Sequence, residues 1–137
     1  VAAKIACPDK LVVSVSGDGC FLMNGQEIAT AIQYNLKILF IVFDNGMYGT
    51  IRMHQERDYP SHVYGTALKN PDFAALAKAY GLHAETVTST RDIRGAIKRC
   101  IDQNSASLIH IKVDPEAITT RTTLTAIRNK AMSENKA

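Results

Sequence analysis

Short apolar runs alternate with amphipathic segments along most of this chain. The stretches Leu11 to Val15 and Ile38 to Phe43 are rich in β-branched residues, and the second is continuously apolar. A continuous apolar run is typical of a strand that is covered on both faces of a parallel sheet. Between the two runs, Asn24 and Glu27 have capping-box spacing, which predicts a helix that ends near Asn35. Right-handed crossover in such a β-α-β unit brings the carboxyl ends of both strands to one edge of the sheet.

The second half of the chain repeats this alternation. A helix is predicted to begin at Asn-Pro-Asp 70–72 and to end at Gly81, and a strand follows near Ala84 to Val87. Another helix begins around Ser89 and leads to a strand over Leu108 to Val113, whose alternating polar residues predict half-exposure. The order of elements predicts an α/β fold, an open doubly wound and mainly parallel sheet with helices on both faces.

Two segments do not closely match either the two-residue period of a strand or the 3.6-residue period of a helix. Residues 44–69 are long for a connection, although Tyr48 to Arg57 has the character of an irregular helix, and long connections at the carboxyl edge of a sheet are usually functional loops. The opening VAAKIAC resembles the last turns of a helix ended by Pro8, so the chain is expected to be a fragment of a longer protein. We predict one domain over residues 1–124 and a weakly ordered tail over 125–137.

Composition narrows the class of protein. The 137 residues are 46% hydrophobic and 21% charged, as in ordinary globular domains, and the net charge of +3 is dispersed without an aromatic-basic stripe. Nucleic-acid partners are therefore not expected. The longest apolar run is far shorter than the roughly 20 residues that cross a bilayer, so no membrane association and a cytoplasmic location are expected. Cys7, Cys20 and Cys100 form no C-x-x-C pair, which fits a reducing compartment, and Cys100 is predicted to be a small core residue.

Polar residues that suit a metal follow both predicted strands. Asp18 comes directly after the first strand and Asn45 after the second, and such hard oxygen donors suit Mg²⁺ bound together with a phosphorylated ligand. Gly17 and Gly19 are expected to let the backbone turn and approach that ligand, near the free N–H groups of a helix that begins at about Gly25. Taken alone, Gly-Asp-Gly is equally typical of an ordinary turn.

The combined stretch GDGCFLMNGQEIATAIQYNLKILFIVFDNGMYG resembles the diphosphate-binding motif of thiamine diphosphate enzymes. It is most similar to the acetolactate synthase, benzoylformate decarboxylase and pyruvate oxidase group. The resemblance implies that Asp18, Asn45 and the backbone carbonyl of Met47 bind Mg²⁺, while amides around Gly19 and Cys20 hold the diphosphate.

By the same resemblance, Gly17 and Tyr48 belong to the cofactor site, and Met47 and Tyr48 are candidates to border a substrate pocket. Asp44 departs from the family, which usually has asparagine there. The interpretation we favour for this extra carboxylate is the cap of a local turn.

The resemblance further implies part of a thiamine diphosphate-dependent 2-oxo acid decarboxylase or carboligase, a lyase or transferase, most similar to acetolactate synthase. The glutamate that activates the cofactor is expected on a separate pyrimidine-binding domain, of the same or a partner subunit in a homo-oligomer. No catalytic residue is therefore assigned to this chain. Two alternatives stay open: a domain of a pyruvate oxidase-like flavin enzyme, with FAD bound only by other domains, or a non-catalytic phosphate- or nucleotide-binding module.

The remaining polar candidates are interpreted as structural or solvated. The group His54, Glu56, Asp58 and His62 fits no standard zinc spacing, so a solvated loop is predicted. His83 is predicted to be structural. His110, on the polar side of an edge strand, is predicted to be exposed.

Overall fold

The structure is a computed structural model that describes residues 1–134. The chain forms two compact units. We call Val1–Asp44 with Asn70–Lys112 the sheet unit, and Asn45–Lys69 with the chain from Val113 onward the helix-pair unit. The described helices, numbered along the chain, are α1 (Ala2–Ala6), α2 (Asp18–Asn24), α3 (Ile28–Gln33), α4 (Gly49–Asp58), α5 (Phe73–Ala79), α6 (Thr90–Ile101) and α7 (Leu124–Glu134).

Four parallel strands form the centre of the sheet unit: β1 (Val12–Gly17), β2 (Ile38–Asp44), β3 (His83–Val87) and β4 (Ser107–Lys112). Their spatial order is β1-β2-β4-β3, and every neighbouring pair is parallel. Because Gly17 pairs with Phe43 and Asp44 pairs with Lys112, β1, β2 and β4 end at the same edge. The predicted parallel α/β sheet is confirmed.

The connections wind the sheet in both directions. The chain steps from β1 to β2 in one direction along the sheet and from β3 back to β4 in the other. Right-handed crossovers then place α2 and α3 on one face and α6 on the opposite face. The side chains agree, because Ile38, Phe40 and Val42 are in one buried cluster with residues of α2, α3 and α5. The fold is therefore doubly wound, as predicted.

Aromatic packing fixes α2 against α5 in this core. Phe21 and Phe73 form an edge-to-face pair with ring centroids 5.3 Å apart, and Phe73 is fully buried. Burial of one such side chain stabilises a fold by roughly 1.5–3 kcal/mol, and the aromatic geometry adds to that. This contact holds the beginning of α5 beside the helix that follows β1.

The first crossover begins earlier than the sequence predicts. A helix starts at Asp18 directly after β1, and a 3₁₀ turn over Gly25–Glu27 joins it to α3. Asn24 makes no side-chain cap bond, so the predicted capping box was wrong. The predicted end was right: Asn35 has φ of 52°, a left-handed conformation that stops a helix and that asparagine tolerates.

The last strand differs most from its prediction. β4 lies between β2 and β3 and is buried along nearly its whole length. An interior parallel strand is covered on both faces, so the alternation that predicted half-exposure was misleading. His110 is consequently 1% exposed, and its predicted exposure was wrong.

The helix-pair unit contains α4 and α7, which contact each other. The predicted irregular helix over 48–57 is α4. The described part of the predicted weakly ordered tail is also helical, with Ala131 of α7 buried, whereas residues 135–137 lie outside the described part of the chain. None of the helices over residues 1–134 is sufficiently long and apolar to span a lipid bilayer.

Candidate functional site

Asp18 is the first residue of α2 and only 3% exposed. Its Oδ1 accepts a hydrogen bond from the Gly19 amide at 2.8 Å, and its Oδ2 accepts one from Asn70 Nδ2 at 2.6 Å. A carboxylate oxygen has two lone pairs, so an oxygen that accepts one hydrogen bond can also bind a cation. Asp18 is thus a fixed, buried anionic group at the end of β1.

Asn70 joins Asp18 to Asp44. The amide nitrogen of Asn70 also donates to Asp44 Oδ1 at 2.7 Å. Its own Oδ1 is buried and has no hydrogen-bond partner among residues 1–134. Such an acceptor is costly unless a water or a ligand donates to it, which fits a site that binds a polar group.

Asp44, the last residue of β2, is 4% exposed and accepts bonds from three side chains. Beside Asn70, His110 Nε2 lies 2.8 Å and Lys112 Nζ 2.6 Å from its Oδ2. Because a carboxylate only accepts, the His110 Nε2 carries the proton in this pair. These are contacts to β4 and to the segment before α5, so the interpretation of Asp44 as a local turn cap does not describe them.

The predicted residues after β2 belong to the helix-pair unit and form a tight turn there. Asn45 Oδ1 accepts from the Met47 amide at 3.2 Å, and Gly46 between them has φ of 70°. The turn is held by hydrogen bonds from Tyr48 N to Thr66 O at 2.9 Å and from Leu68 N to Gly46 O at 2.8 Å. These bonds give Asn45 and the Met47 backbone a defined conformation.

Gly49, at the start of α4, packs beneath this turn. A Cβ atom added there would lie 2.8 Å from Asn45 Nδ2 and 2.8 Å from Ile118 Cδ1, closer than van der Waals contact permits. A larger residue would therefore displace the ends of the Asn45 and Ile118 side chains, and the Asn45 side chain rests directly against the helix backbone. The sequence analysis did not single out Gly49.

Gly17, directly before α2, has a different role from the one predicted. Gly17 has φ of −75°, which any residue adopts, so the expected need for a sharp turn is not met there. A Cβ atom on Gly17 would meet nothing within 4 Å. Space beside the strand end, rather than backbone conformation, is what this glycine provides.

A donor set of carboxylate, amide and peptide carbonyl oxygens suits a small hard cation such as Mg²⁺. In the sheet unit, Asp18 supplies a buried carboxylate of this kind. The open space at Gly17 and the Asn70 oxygen, which has no hydrogen-bond partner among residues 1–134, suit a polar ligand beside Asp18. In the helix-pair unit, Asn45 and Met47 supply an amide oxygen and a peptide carbonyl oxygen. The donor types within each unit therefore fit a divalent cation and a polar ligand such as a diphosphate.

Cys20 and Tyr48 differ in exposure. Cys20 is exposed on the first turn of α2, where an amide has no partner earlier in the helix. The neighbouring Gly19 amide is already engaged by Asp18. Tyr48 is partly buried at the N-cap of α4.

A second cluster of metal-ligating side chains lies on β3 and α6, away from Asp18 at the end of β1. His83, Glu85 and Cys100 have ligand atoms within 4.8 Å of one another. Arg99 donates to both oxygens of Glu85, however, with Nη2 2.6 Å from Oε2, and holds the pKa of Glu85 at about 2. Burial raises the pKa of the Cys100 thiol, which opposes the thiolate a metal needs. The cluster is an ion-pair network, in accord with the structural role predicted for His83.

The two histidines of this segment are exposed, as predicted, but His54 lies in α4 and not on a loop, and one of their neighbours is buried. His54 and His62 are both exposed. Glu56 is fully buried in α4 and binds Arg52 and Arg128, so its assignment to a solvated loop was wrong. Asn70 and Glu56 are the polar residues of most structural consequence that the sequence analysis missed.

Comparison with known proteins identifies the family of this domain. Residues 1–111 match the family model of the thiamine pyrophosphate enzyme C-terminal TPP binding domain. The chain belongs to the thiamine pyrophosphate enzyme family. This agrees with the predicted resemblance and disfavours an unrelated nucleotide-binding module.

Several curated proteins are similar to this domain. A probable acetolactate synthase large subunit of Methanocaldococcus jannaschii is 36% identical over 116 residues, which are 84% of this chain and 20% of that protein. The acetolactate synthase isozyme 2 large subunit of Escherichia coli is 33% identical over 115 residues, 83% of this chain and 21% of that protein. A 3D-(3,5/4)-trihydroxycyclohexane-1,2-dione hydrolase of Bacillus subtilis is 35% identical over 123 residues, 85% of this chain and 19% of that protein. The chain thus spans about a fifth of the length of these relatives.

Proposed function

We propose that this domain anchors the diphosphate of thiamine diphosphate and its Mg²⁺ in an acetolactate synthase-like 2-oxo acid decarboxylase or carboligase. The observation that carries the proposal is Asp18, a buried and oriented carboxylate at the end of a parallel strand, within a matched TPP binding domain. Asn45 and the carbonyl of Met47 are proposed as the other protein ligands on the basis of the sequence motif.

Each proposed residue has a role in holding the cofactor. Asp18 supplies negative charge for the cation, and its hydrogen bonds to Gly19 and Asn70 limit the rotation that would otherwise have to be frozen on binding. Gly17 leaves room for the ligand beside β1. Of the amides around Gly19 and Cys20, that of Gly19 donates to Asp18, so the Cys20 amide is the one proposed to donate to the diphosphate. Tyr48 is proposed to border the site.

When bound, the cofactor supplies a carbanion at its thiazolium ring and takes up the electrons released on decarboxylation. This domain supplies position and charge, so we propose that it is not catalytic alone. The glutamate that activates the cofactor is proposed to lie on another domain, of the same or a partner subunit. Any FAD is likewise proposed to be bound by other domains. The 137-residue chain mixed with thiamine diphosphate, Mg²⁺ and pyruvate should release no measurable CO₂, and steady release would contradict this proposal.

The central test is calorimetric titration of the complete polypeptide with thiamine diphosphate, with and without Mg²⁺. Asp18→Ala should abolish the Mg²⁺-dependent part of the binding, because the carboxylate ligand is lost. Gly17→Ala should weaken binding about tenfold by filling the open space, with the thermal unfolding temperature unchanged. His62→Ala, on an exposed loop, is the matched control. Equal binding by wild type and Asp18→Ala would refute the proposal.

A hydrolase is a second candidate, because the Bacillus subtilis hydrolase is 35% identical to this chain, between the 36% and 33% of the two acetolactate synthases. The two classes differ in what the complete polypeptide converts. We expect it to form acetolactate from pyruvate. Conversion of 3D-(3,5/4)-trihydroxycyclohexane-1,2-dione in preference to pyruvate would favour the hydrolase.

A further inference from the structure

Asn70 has a fixed orientation between two carboxylates. Both N–H groups of its amide are used, one on Asp18 Oδ2 and one on Asp44 Oδ1. Ionised carboxylates only accept hydrogen bonds, so a flipped amide would set its oxygen against theirs. The chemistry of the neighbours therefore determines which way the Asn70 side chain points.

The surrounding residues hold Asn70 in this position. Pro71 disfavours helical backbone at Asn70, and Asp72 caps α5 by accepting from Ala74 N at 2.9 Å and Ala75 N at 3.0 Å. His110 lies between Asp44 and Asp72, with Nε2 2.8 Å from Asp44 Oδ2 and Nδ1 3.5 Å from Asp72 Oδ1. The second distance is longer than a good hydrogen bond. Hydrogen bonds thus connect the segment before α5 to the end of β2 and, through Asp44, to His110 of β4.

We propose that Asn70 is a positioning residue that holds the Asp18 carboxylate in the orientation required for the divalent cation. The proposal rests on the proposed function, in which Asp18 is a ligand. Two neighbouring anionic side chains repel each other and would rotate apart, and the shared amide donor holds both of them. Partners of this kind, which bind a metal ligand rather than the metal, commonly change metal affinity by 10–100-fold when they are removed.

A purely structural role for Asn70 makes a different prediction. Asn70 joins the ends of β1 and β2 across 52 and 26 positions of sequence, so its loss must affect folding to some degree. If that were its whole role, removing it would lower the unfolding temperature and leave the cation affinity of the folded protein unchanged. The affinity of the folded protein for the cation is therefore the decisive quantity.

The test uses Mn²⁺ as a paramagnetic probe in the complete polypeptide, saturated with thiamine diphosphate. Free Mn²⁺ is measured by electron paramagnetic resonance. The temperature is one at which circular dichroism shows that every variant is folded. Asn70→Ala removes both donors and should weaken Mn²⁺ binding 10–100-fold. Asn104→Ala replaces an exposed asparagine of the same unit and should change the affinity less than twofold.

Two further variants make the outcome decisive. Asn70→Ser keeps one O–H donor and should lose less affinity than Asn70→Ala; if the alanine variant does not fold, a serine variant with wild-type affinity overturns the inference. Asp18→Ala separates this inference from the proposed function. Loss of Mn²⁺ binding in Asp18→Ala with wild-type affinity in Asn70→Ala would overturn the positioning role alone. Failure of the wild-type polypeptide to bind Mn²⁺ with thiamine diphosphate would overturn both.

Discussion

Two buried carboxylates, Asp44 in the sheet unit and Glu56 in the helix-pair unit, are neutralised in different ways. Glu56 is fully buried and binds two guanidinium groups, Arg128 Nε at 2.7 Å and Arg52 Nε at 2.9 Å, with Ser61 N at 3.2 Å. Asp44 binds an ammonium, an imidazole and an amide. The Glu56 cluster consists of ion pairs between α4, α7 and the following turn, whereas the Asp44 cluster continues through Asn70 to Asp18.

The difference separates a stabilising cluster from one associated with the proposed site. Guanidinium groups are always charged and bind carboxylates through several N–H groups, so they favour the ionised form of Glu56 and hold its pKa at about 2. The amide of Asn70 is neutral and carries two donors, which allows it to join two carboxylates instead of neutralising one. A residue of this type orients its neighbours, and the Asp44 cluster is accordingly the one adjacent to the proposed metal ligand.

Glu56→Ala should have the largest effect on stability. It leaves two guanidinium groups facing each other without their acceptor, and breaking a buried charge pair costs about 3 kcal/mol. Amide hydrogen exchange in α4 and α7, measured by mass spectrometry, should accelerate roughly 100-fold where it occurs through local opening. Unchanged exchange in both helices would contradict the interpretation of this cluster as stabilising.

His110→Ala should have the next largest effect, in the other unit. His110 is buried, donates to Asp44 and packs edge-to-face on Phe73 with centroids 5.1 Å apart. Its loss leaves a cavity and removes one donor from Asp44, at a cost of about 2 kcal/mol. Exchange of β2 and β4 amides should accelerate roughly 30-fold. If amide exchange accelerated only in α4 and α7, the two clusters would not stabilise separate units, and the comparison between them would be wrong.

Acid should weaken the Glu56 cluster over a defined range of pH. The hydrogen bond from Arg128 is the largest cause that lowers the Glu56 pKa from 4.5 to about 2, against the opposing effect of burial. A lowered folded-state pKa means that the contribution is complete above pH 4.5 and is lost as the pH falls through 2. Local opening of α4 and α7 should therefore increase over this range in wild type, whereas Glu56→Gln, which cannot ionise, should show a flatter dependence. Parallel curves for the two proteins would contradict the assignment.

Asp58→Ala should have the smallest effect and is the matched control for Glu56→Ala. Asp58 ends the same helix and pairs with Arg57 at 2.8 Å, but the side chains are 48% and 56% exposed. Exposed pairs of this type contribute little to stability, because water and salt screen the two charges. Exchange in α4 should remain within about twofold of wild type. A loss comparable to that of Glu56→Ala would show that burial is not what distinguishes the two carboxylates.

Local sequence signals were most reliable where one residue type suits one backbone conformation. Asp72 caps α5 through two backbone amides, and Asn35 ends α3 with positive φ, both where the sequence predicts. The predicted capping box at Asn24 failed because the chain enters a helix at Asp18, before the capping position is reached. A residue pattern indicates which local conformation a segment can adopt. A helix that begins earlier along the chain can prevent a residue from serving as a helix cap.

Burial of polar residues was predicted poorly. Alternation over residues 108–113 predicted a half-exposed edge strand, but β3 pairs on the outer side of β4 and makes it interior. The charged residues of the segment 54–62 predicted a solvated loop, but Glu56 is on the face of α4 that meets Arg128, 72 positions later. In both cases the polar residue is buried against a partner from another element. The burial was not predicted because that partner is distant in sequence.

The sequence by itself determined the α/β alternation, the parallel strands, the family and the candidate metal ligands, because these depend on short-range periodicity and on a compact motif. Only the tertiary structure decided that Asp44 and Glu56 are buried, that β4 is interior, and that Asn70 joins Asp18 to Asp44. Those facts depend on side chains from separate elements meeting in space, and a buried polar group becomes stable only when its distant partner is in position.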